Sequence, residues 1–369
     1  MSISLTHAPY RADHVGSILR TERLKKARED RSTGAITAEQ LREVEDEEIR
    51  AIVEKQKEAG LTAITDGEFR RAWWHLDFLE GFDGVEGYEP EHGYKFRGVE
   101  TKAWLVRING ELDFPDNHPF LEHFRHLKSL VGEDYVAKQT IPSPSMLYAD
   151  EHFVPGVYDD RSQFRKDLAA AYKKAVHAFY DAGCRYLQLD DVGWAHILPT
   201  EDDTEEQREE KHNKQQWFKE IINEALSDRP DDLTVTMHIC RGNFRSTWIR
   251  TGSYDPVAKT VFQEVGVDGL FLEYDDERSG TFEALQYVNR TDLKIVLGIV
   301  TSKTGKLEDK EALKSRIQEA EKYVPLEQLA LSPQCGFAST EEGNILSEEA
   351  QWAKLRHVKE VADEVWGES

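Results

Sequence analysis

Apolar and polar residues follow two alternating patterns along this chain. Short, nearly continuous apolar runs that end in polar or small residues are typical of parallel strands buried on both faces. Runs of this kind occupy residues 12–17, 63–68, 136–143, 186–191, 234–240, 269–275, 294–301 and 329–336. Stretches with helical periodicity lie between them, at residues 37–59, 161–182, 205–226, 310–323 and 347–365. The pattern therefore predicts a series of strand–helix units.

Glycines mark several of the steps from a helix to the next strand. Gly60, Gly183 and Gly266 each stand shortly before a predicted strand, where glycine suits the left-handed backbone that ends a helix. The series of units predicts a closed α/β barrel, a (β/α)8 TIM barrel, with residues 1–369 as a single catalytic domain. An open doubly wound sheet is the alternative, but no Gly-x-Gly-x-x-Gly motif follows the first predicted strand.

One segment, residues 82–132, departs from this rhythm. It is rich in glycine and aromatic residues, and polar and apolar positions alternate in its middle part. The sequence Ile108-Asn109-Gly110-Glu111 contains the Asn-Gly step that favours a two-residue hairpin turn. We therefore expect a β-rich insertion after the second strand, a β-hairpin excursion that acts as a lid or as an oligomer contact.

Composition narrows the possible functions. A net charge of -23 leaves no basic stripe to face a phosphate backbone, so we expect no nucleic-acid partner and no anionic membrane. The sequence contains no run of ~18 apolar residues that would span a bilayer. Residues 1–10 lack the basic and then apolar pattern of a signal peptide. We expect a cytoplasmic protein.

Three cysteines, Cys184, Cys240 and Cys335, are too few for a disulfide framework. His238 and Cys240 stand two residues apart at the end of a predicted strand, so their side chains point the same way and can chelate one ion. Glu273 and Cys335 end two other predicted strands, and strand ends of a barrel converge on one face. Nitrogen and sulfur donors favour zinc over magnesium or calcium. We therefore predict a zinc site of His238, Cys240, Glu273 and Cys335.

Simpler explanations exist for the same residues. His238 beside Cys240 is also the pattern of a buried imidazole next to a buried thiol, and a strand-end salt bridge would explain Glu273 alone. A non-catalytic zinc module is another alternative, although structural zinc usually uses closely spaced cysteine pairs. Cys184 lies inside a predicted strand and is expected to belong to the core.

Taken together, these residues resemble the zinc site of cobalamin-independent methionine synthase. The resemblance extends to Asp66-Gly67-Glu68-Phe69-Arg70 and Leu187-Gln188-Leu189-Asp190. Residues 11–17 are similar to the N-terminal motif of the short, single-barrel members of that superfamily. The resemblance covers nearly the whole chain and corresponds to the C-terminal catalytic domain of the long enzyme. Uroporphyrinogen decarboxylase-like barrels and epoxyalkane:coenzyme M transferase are related proteins.

The resemblance implies a zinc-dependent S-methyltransferase that activates the thiol of homocysteine and forms methionine. By the same resemblance, Gly16 and Ser17 hold the substrate carboxylate, whereas Glu68 and Asp190 hold its ammonium group. These residues end predicted strands and would face the same rim as the metal ligands. Glu68 has an alternative role in a surface pair with a neighbouring arginine, and Asp190 has one as a helix N-cap. The expected partners are homocysteine and a methyl donor, and a homo-oligomer is compatible with the sequence.

The methyl donor stays open between methyltetrahydrofolate and another compound. The long enzyme has a catalytic histidine after the seventh strand, but the corresponding residues 298–305 contain none. Lys303 in that loop and His14 on the first strand are the candidate catalytic residues. Trp73, Trp74 and Tyr148 would either stack on the donor or serve in packing. The alternative function is zinc-dependent alkyl transfer to another thiol, as in the addition of coenzyme M to an epoxide.

Overall fold

The computed structural model describes residues 8–147 and 152–367. Its main sheet has seven parallel strands in sequence order, and each strand is hydrogen-bonded to the next. The strands are Ala63–Ile64, Val136–Pro142, Tyr186–Asp191, Thr234–Ile239, Gly269–Glu273, Lys294–Val300 and Leu329–Pro333. Parallel pairing in sequence order, with helices between the strands, is the arrangement of a (β/α)8 barrel, and the predicted fold class is confirmed.

The segment predicted as the first strand lies between the two ends of this sheet. Ala12 forms a single parallel bridge with Leu331, on the last strand. The Asp13 N–H donates to the Leu331 carbonyl at 3.0 Å, and the Ile18 N–H donates to the Gly67 carbonyl at 3.1 Å. The segment therefore closes the barrel by a few hydrogen bonds.

The prediction of a regular strand over residues 12–17 is wrong, because the backbone leaves the extended conformation at Gly16. Gly16 has a φ of +143°, and a Cβ atom there would lie only 2.7 Å from Cγ2 of Thr140. This position needs glycine because the neighbouring strand approaches too closely for a side chain.

Helices cover the outside of the barrel, and the predicted helical stretches are confirmed to within two residues. The described α-helices are Glu22–Ser32, Ala38–Glu58, Leu76–Leu79, Pro119–Val131, Arg161–Asp181, Gly193–His196, Glu205–Ala225, Asp255–Lys259, Lys310–Glu321 and Glu348–Trp366. Capping boxes at Thr37 and Thr204 fix the starts of two long helices. None of the described helices has both the length and the apolar composition to cross a membrane.

The inserted region contains both strands and a helix. Strands Asp83–Tyr88 and Leu105–Asp113 pair antiparallel, as do the short strands Lys95–Phe96 and Val99–Glu100. The last part of residues 82–132, predicted to be β-rich, instead forms the helix Pro119–Val131, whose apolar face packs into the core. The predicted turn at residues 109–110 is also wrong, because both residues lie in the strand Leu105–Asp113. They lie at a register shift in the pairing with the strand Asp83–Tyr88. Gly84 lies opposite this shift, and a Cβ atom on Gly84 would be only 2.3 Å from the Glu111 carbonyl oxygen.

Candidate metal centre and substrate cavity

Four side chains from three separate strand ends meet at one rim of the barrel. His238 lies in the strand Thr234–Ile239 and Cys240 follows it, Glu273 ends the strand Gly269–Glu273, and Cys335 comes just after the strand Leu329–Pro333. One ligand atom from each lies within 4.8 Å of all the others, and all four residues are buried. We refer to these four residues as the metal cluster.

The imidazole of the metal cluster leaves one nitrogen for a ligand. The Nδ1 atom of His238 lies 3.2 Å from the Phe271 carbonyl oxygen, which fixes the ring orientation. The Nε2 atom is buried and has no partner at hydrogen-bonding geometry in the described part of the chain. The ring also interacts with the Cys335 thiol, and a buried imidazole nitrogen that faces thiols without a regular hydrogen bond is a suitable metal ligand.

The two thiols of the metal cluster interact with each other and with the His238 imidazole, and these interactions shift the pKa values of all three groups. The sulfurs of Cys240 and Cys335 are 3.6 Å apart. A hydrogen bond from Cys240 holds the pKa of the Cys335 thiol well below its usual range, and the same contact raises the pKa of Cys240. Burial alone would lower the pKa of His238, but its interactions with Cys335, Asp190 and Glu273 raise that pKa to about 9. The cluster thus favours a thiolate, the form that binds metals.

The carboxylate of Glu273 is fixed from both sides. Its Oε1 accepts the Arg241 N–H at 2.8 Å, and its Oε2 accepts Arg278 at 2.6 Å. The backbone N–H of Glu273 donates to the Tyr254 hydroxyl at 3.0 Å. Outer hydrogen bonds of this kind orient metal ligands. Sequence reasoning missed Arg278 and Tyr254, which lie outside the predicted strands and helices and belong to no recognisable motif.

The donor set of the metal cluster fits zinc. One imidazole nitrogen, two sulfurs and one carboxylate oxygen are the donors that zinc binds in tetrahedral sites. Hard cations such as magnesium prefer oxygen donors only. The residues present therefore match the ion that the sequence predicted.

A cavity adjoins the metal cluster. His238, Cys240 and Cys335 are in its lining, together with the predicted substrate contacts Ser17, Glu68 and Asp190. Gly16 is not in this lining; its carbonyl accepts the Thr65 hydroxyl at 2.6 Å instead.

The two carboxylates in the lining differ in their partners. Glu68 Oε1 accepts the Thr140 hydroxyl at 3.0 Å and lies 3.3 Å from Arg71, whereas Glu68 Oε2 is buried with no hydrogen-bond partner among the described residues. Asp190 accepts Gln188 at 2.7 Å, and burial raises its pKa to about 7. The pair between Glu68 and Arg71 is buried rather than on the surface. The capping contact at this strand end belongs to Asp191, which accepts the Trp194 N–H at 3.1 Å.

The structure does not bring the two predicted catalytic residues into the cavity. His14 is buried with its Nε2 3.2 Å from the Ala63 carbonyl oxygen, and burial lowers its pKa to about 4. Lys303 forms ion pairs with Asp275 and Asp276. Both side chains already have protein partners and neither lines the cavity, so we remove both from the proposed catalytic groups.

Several further residues line the cavity that sequence reasoning did not single out. They are His75, Tyr94, Phe96, Thr101, Met146, His196, Asn243 and Phe244, among others. Tyr94, Phe96 and Thr101 come from the inserted region. Trp73 and Trp74 also line the cavity, whereas Tyr148 lies outside the described residues. The histidines stand outside the strand–helix rhythm, so the hydrophobic pattern gave no signal for them.

Comparison with known proteins identifies the family to which this chain belongs. Residues 153–364 match the family described as cobalamin-independent synthase, catalytic domain. The uncharacterized protein YxjH of Bacillus subtilis is 56% identical over 363 residues, 97% of this chain and 95% of that protein. A methionine synthase of Saccharolobus solfataricus is 23% identical over 342 residues, 92% of this chain and 90% of that protein.

Two solved structures extend the comparison. A Listeria monocytogenes chain, described as a candidate vitamin-B12-independent methionine synthase, is 51% identical with a TM-score of 0.80 and covers 98% of this chain and 99% of its own. A B12-independent methionine synthase of Shewanella sp. W3-18-1, solved with selenomethionine, has a TM-score of 0.74 at 18% identity and covers 96% and 97% of the two chains. The second likeness shows the shared fold. The chain therefore belongs to the cobalamin-independent synthase family and corresponds to its catalytic domain.

Proposed function

We propose that this chain is a cytoplasmic, zinc-dependent methyltransferase that converts homocysteine to methionine, with methyltetrahydrofolate or another compound as the methyl donor. The observation that carries the proposal is the meeting of four ligand atoms within 4.8 Å of one another, beside a cavity that also contains two carboxylates. Family membership supports the reaction class.

The metal cluster supports the activation of a thiol. A free thiol has a pKa near ~8.5 and is mostly protonated at neutral pH. Zinc held by His238, Cys240, Glu273 and Cys335 would lower the pKa of a substrate thiol, so that the nucleophilic thiolate forms near neutral pH. Arg278 and the Arg241 N–H keep the Glu273 carboxylate in place during this chemistry.

The other polar groups of the cavity suit an amino acid. The unpartnered Oε2 of Glu68 offers an acceptor for an ammonium group. Asp190, whose pKa burial raises to about 7, gains a stabilising counter-charge when an ammonium group binds. Holding the amino-acid end in this way would fix the direction of the sulfur, and such orientation lowers the barrier to transfer.

The cavity disfavours the alternative thiol substrate. A sulfonate such as that of coenzyme M needs cationic contacts. Within residues 8–147 and 152–367, neither lysine nor arginine lines the cavity. The same feature argues against the many carboxylates of a uroporphyrinogen-type substrate.

The test measures bound zinc and methionine formation together. Cys240→Ser and Cys335→Ser are expected to lose zinc, measured by plasma mass spectrometry, and to lose methionine formation from homocysteine across a panel of methyl donors. Cys184→Ser is the matched control, because this buried thiol is not part of the cavity lining and donates to the Tyr186 carbonyl. Full activity in zinc-free protein, or normal zinc in both serine variants of the cluster, would contradict the proposal.

A further inference from the structure

A short loop directly after Cys240 supplies hydrogen-bond donors to the metal cluster. The Arg241 N–H donates to Oε1 of Glu273 at 2.8 Å. The next N–H, that of Gly242, interacts with the sulfur of Cys240 in the sense that favours the thiolate. Gly242 has a φ of +79°, and successive N–H groups around a left-handed residue form a concave surface that attracts anions. The backbone of this loop is thus shaped to donate to anionic ligands.

The side chain of Asn243 adds a third donor. Its Nδ2 donates to the Gly336 carbonyl at 2.8 Å, which holds the amide beside the preceding residue, Cys335. The same amide interacts with the Cys335 sulfur, again in the sense that favours the thiolate. An amide nitrogen carries two hydrogens and can serve both acceptors, whereas the reversed amide would place its oxygen against the Gly336 carbonyl. We refer to residues 241–243 as the donor loop.

The proposed reaction raises a problem of selectivity at this site. With homocysteine bound, three sulfurs would lie around one ion, those of the substrate, Cys240 and Cys335. Metal-bound sulfurs are thiolates, and thiolates are nucleophiles. Both cysteines line the same cavity as Asn243, so a methyl donor in that cavity would meet them as well. Methylation of either cysteine would replace a thiolate ligand by an uncharged thioether and would inactivate the site.

We propose that the donor loop protects Cys240 and Cys335 from methylation and so directs the methyl group to the substrate sulfur. A donor that faces a thiolate withdraws electron density from its lone pairs, and the nucleophilicity of a thiolate falls with its basicity. The Gly242 N–H is directed at Cys240 and the Asn243 amide at Cys335, so neither is directed at the substrate sulfur. This inference rests on the metal centre of the proposed function and holds for any methyl donor.

The test methylates the protein itself. Zinc-loaded protein without homocysteine is treated with methyl iodide, and peptide mass spectrometry measures the methylation rate at each cysteine. A bond forms from the cysteine sulfur to the methyl carbon, the bond from that carbon to iodine breaks, and iodide leaves with the electron pair. Asn243→Leu removes the amide from Cys335 and should raise the rate at that sulfur about 3- to 10-fold. The rate at Cys240 should stay the same, because its donor is a backbone N–H.

Asn344→Leu is the matched control. Asn344 is also a buried asparagine, and its Nδ2 donates to the Ser302 carbonyl at 3.0 Å, but it does not line the cavity. Its loss should leave the methylation rates of both cysteines of the metal cluster unchanged. Bound zinc and urea denaturation are measured for every variant, so that rates are compared between folded, zinc-loaded proteins. Asn243→Val, which also lacks a donor, takes the place of the leucine variant if the latter does not fold.

The outcomes separate the possible explanations. Faster methylation confined to Cys335 supports the role of the donor loop. Equal rates at Cys335 in Asn243→Leu and in the unchanged protein would overturn the inference and leave the proposed function intact. An equal rise at Cys240 and Cys335 would also overturn it, because it would indicate a loosened site rather than a lost donor. An unchanged protein that binds no zinc would instead refute the metal centre of the proposed function itself.

Discussion

Two polar clusters are buried in this barrel, and they differ in how fully the protein satisfies them. In the interior cluster of Asp13, His14, Lys138 and Tyr186, Lys138 Nζ donates to Asp13 Oδ1 at 3.1 Å and the Tyr186 hydroxyl donates to Asp13 Oδ2 at 2.8 Å. In the metal cluster the Nε2 of His238 makes no hydrogen bond of regular geometry within the described structure, and the cluster adjoins a cavity.

The two clusters occupy different levels of the same barrel. Tyr186 begins one short strand and Asp190 is its penultimate residue, about 13 Å away at ~3.3 Å per residue. Both levels hold buried charge, but among the described residues it is the upper one that has unpartnered polar atoms on residues lining the cavity, Glu68 Oε2 and His238 Nε2. Buried charge alone is therefore a poor sign of function, and an unsatisfied buried donor or acceptor beside a cavity is a better one.

The largest effect is expected from breaking the interior ion pair. Asp13→Asn leaves the buried charge of Lys138 unpaired and should lower the free energy of unfolding by about 3–5 kcal/mol. Urea denaturation checks this, and zinc bound per folded molecule should stay the same. Adding Lys138→Met to this variant removes the unpaired charge and should recover part of the loss. Unchanged stability in Asp13→Asn would mean that the two clusters do not differ as described.

The two histidines should give opposite pH dependences in metal-stripped protein. Burial holds the pKa of His14 at about 4, below its unfolded value of about 6.5, so the unfolded state takes up the proton first. The free energy of unfolding should therefore fall as the pH drops from 6.5 to 4, by roughly 3 kcal/mol for this residue. His14→Gln should reduce that fall, and urea titrations at several pH values measure it.

For His238 the pH dependence of the free energy of unfolding has the opposite sign, because its pKa of about 9 in the folded protein lies above its value in the unfolded chain. Its contribution to stability is complete below pH 6.5 and is lost as the pH rises through 9. Zinc binding should remove this dependence, since the ion takes the same lone pair. A metal-free protein whose stability is flat between pH 6.5 and 9, and equal to that of His238→Gln, would contradict the interaction of His238 with Cys335, Asp190 and Glu273 that raises its pKa.

A smaller effect is expected at the outer hydrogen bond of Glu273. Arg278→Met removes the donor to Oε2 and should weaken zinc binding about 10- to 100-fold. Competition with a chelator measures the affinity. Arg107→Met, which removes an exposed ion pair with Glu86, is the matched control and should bind zinc normally. Equal affinity in both variants would show that Arg278 does not support the metal cluster.

The smallest effect concerns Gln188, which connects the two levels. Its side chain donates to Asp190 at 2.7 Å and to the Val15 carbonyl at 2.6 Å. Gln188→Met removes a donor that stabilises the Asp190 carboxylate, so the pKa of Asp190 should rise further. As the pH is lowered, Asp190 should then become protonated at a higher pH than in the unchanged protein, and the KM for homocysteine should start to rise there. At pH 7 the KM of the variant should exceed that of the unchanged protein by less than about tenfold. A pH profile of KM identical to that of the unchanged protein would exclude this link.

The metal cluster could be predicted from the sequence because two signals occur at the same positions, an uncommon residue type and the end of an apolar run. His238, Cys240 and Cys335 are uncommon residue types, and Glu273 shares their position at the ends of apolar runs. The rule that parallel strand ends share one rim then joins residues far apart in the chain. The long helices could also be predicted, because capping residues such as Thr37 mark where they begin.

Other features depend on contacts that no local pattern encodes. The irregular path at Gly16 accompanies the close approach of Thr140. Residues 109–110 lie in a strand at a register shift, where Gly84 allows the two strands to approach closely. Lys303 lies in a loop near the rim, but the carboxylate of Asp275 binds it there. His75 lines the cavity although it lies outside the segments with strand or helix periodicity. Such outcomes are set by tertiary packing, which overrides local preferences.

The short separation of the two sulfurs has a consequence for handling the protein. At 3.6 Å, the thiols of Cys240 and Cys335 need to move less than 2 Å to reach the ~2.05 Å of a disulfide bond. Air oxidation of a chelator-treated sample would therefore remove both sulfur donors in one event, and added zinc would not restore binding until a reductant had acted. Counting thiols in denaturant would reveal such a sample, because only Cys184 would still react.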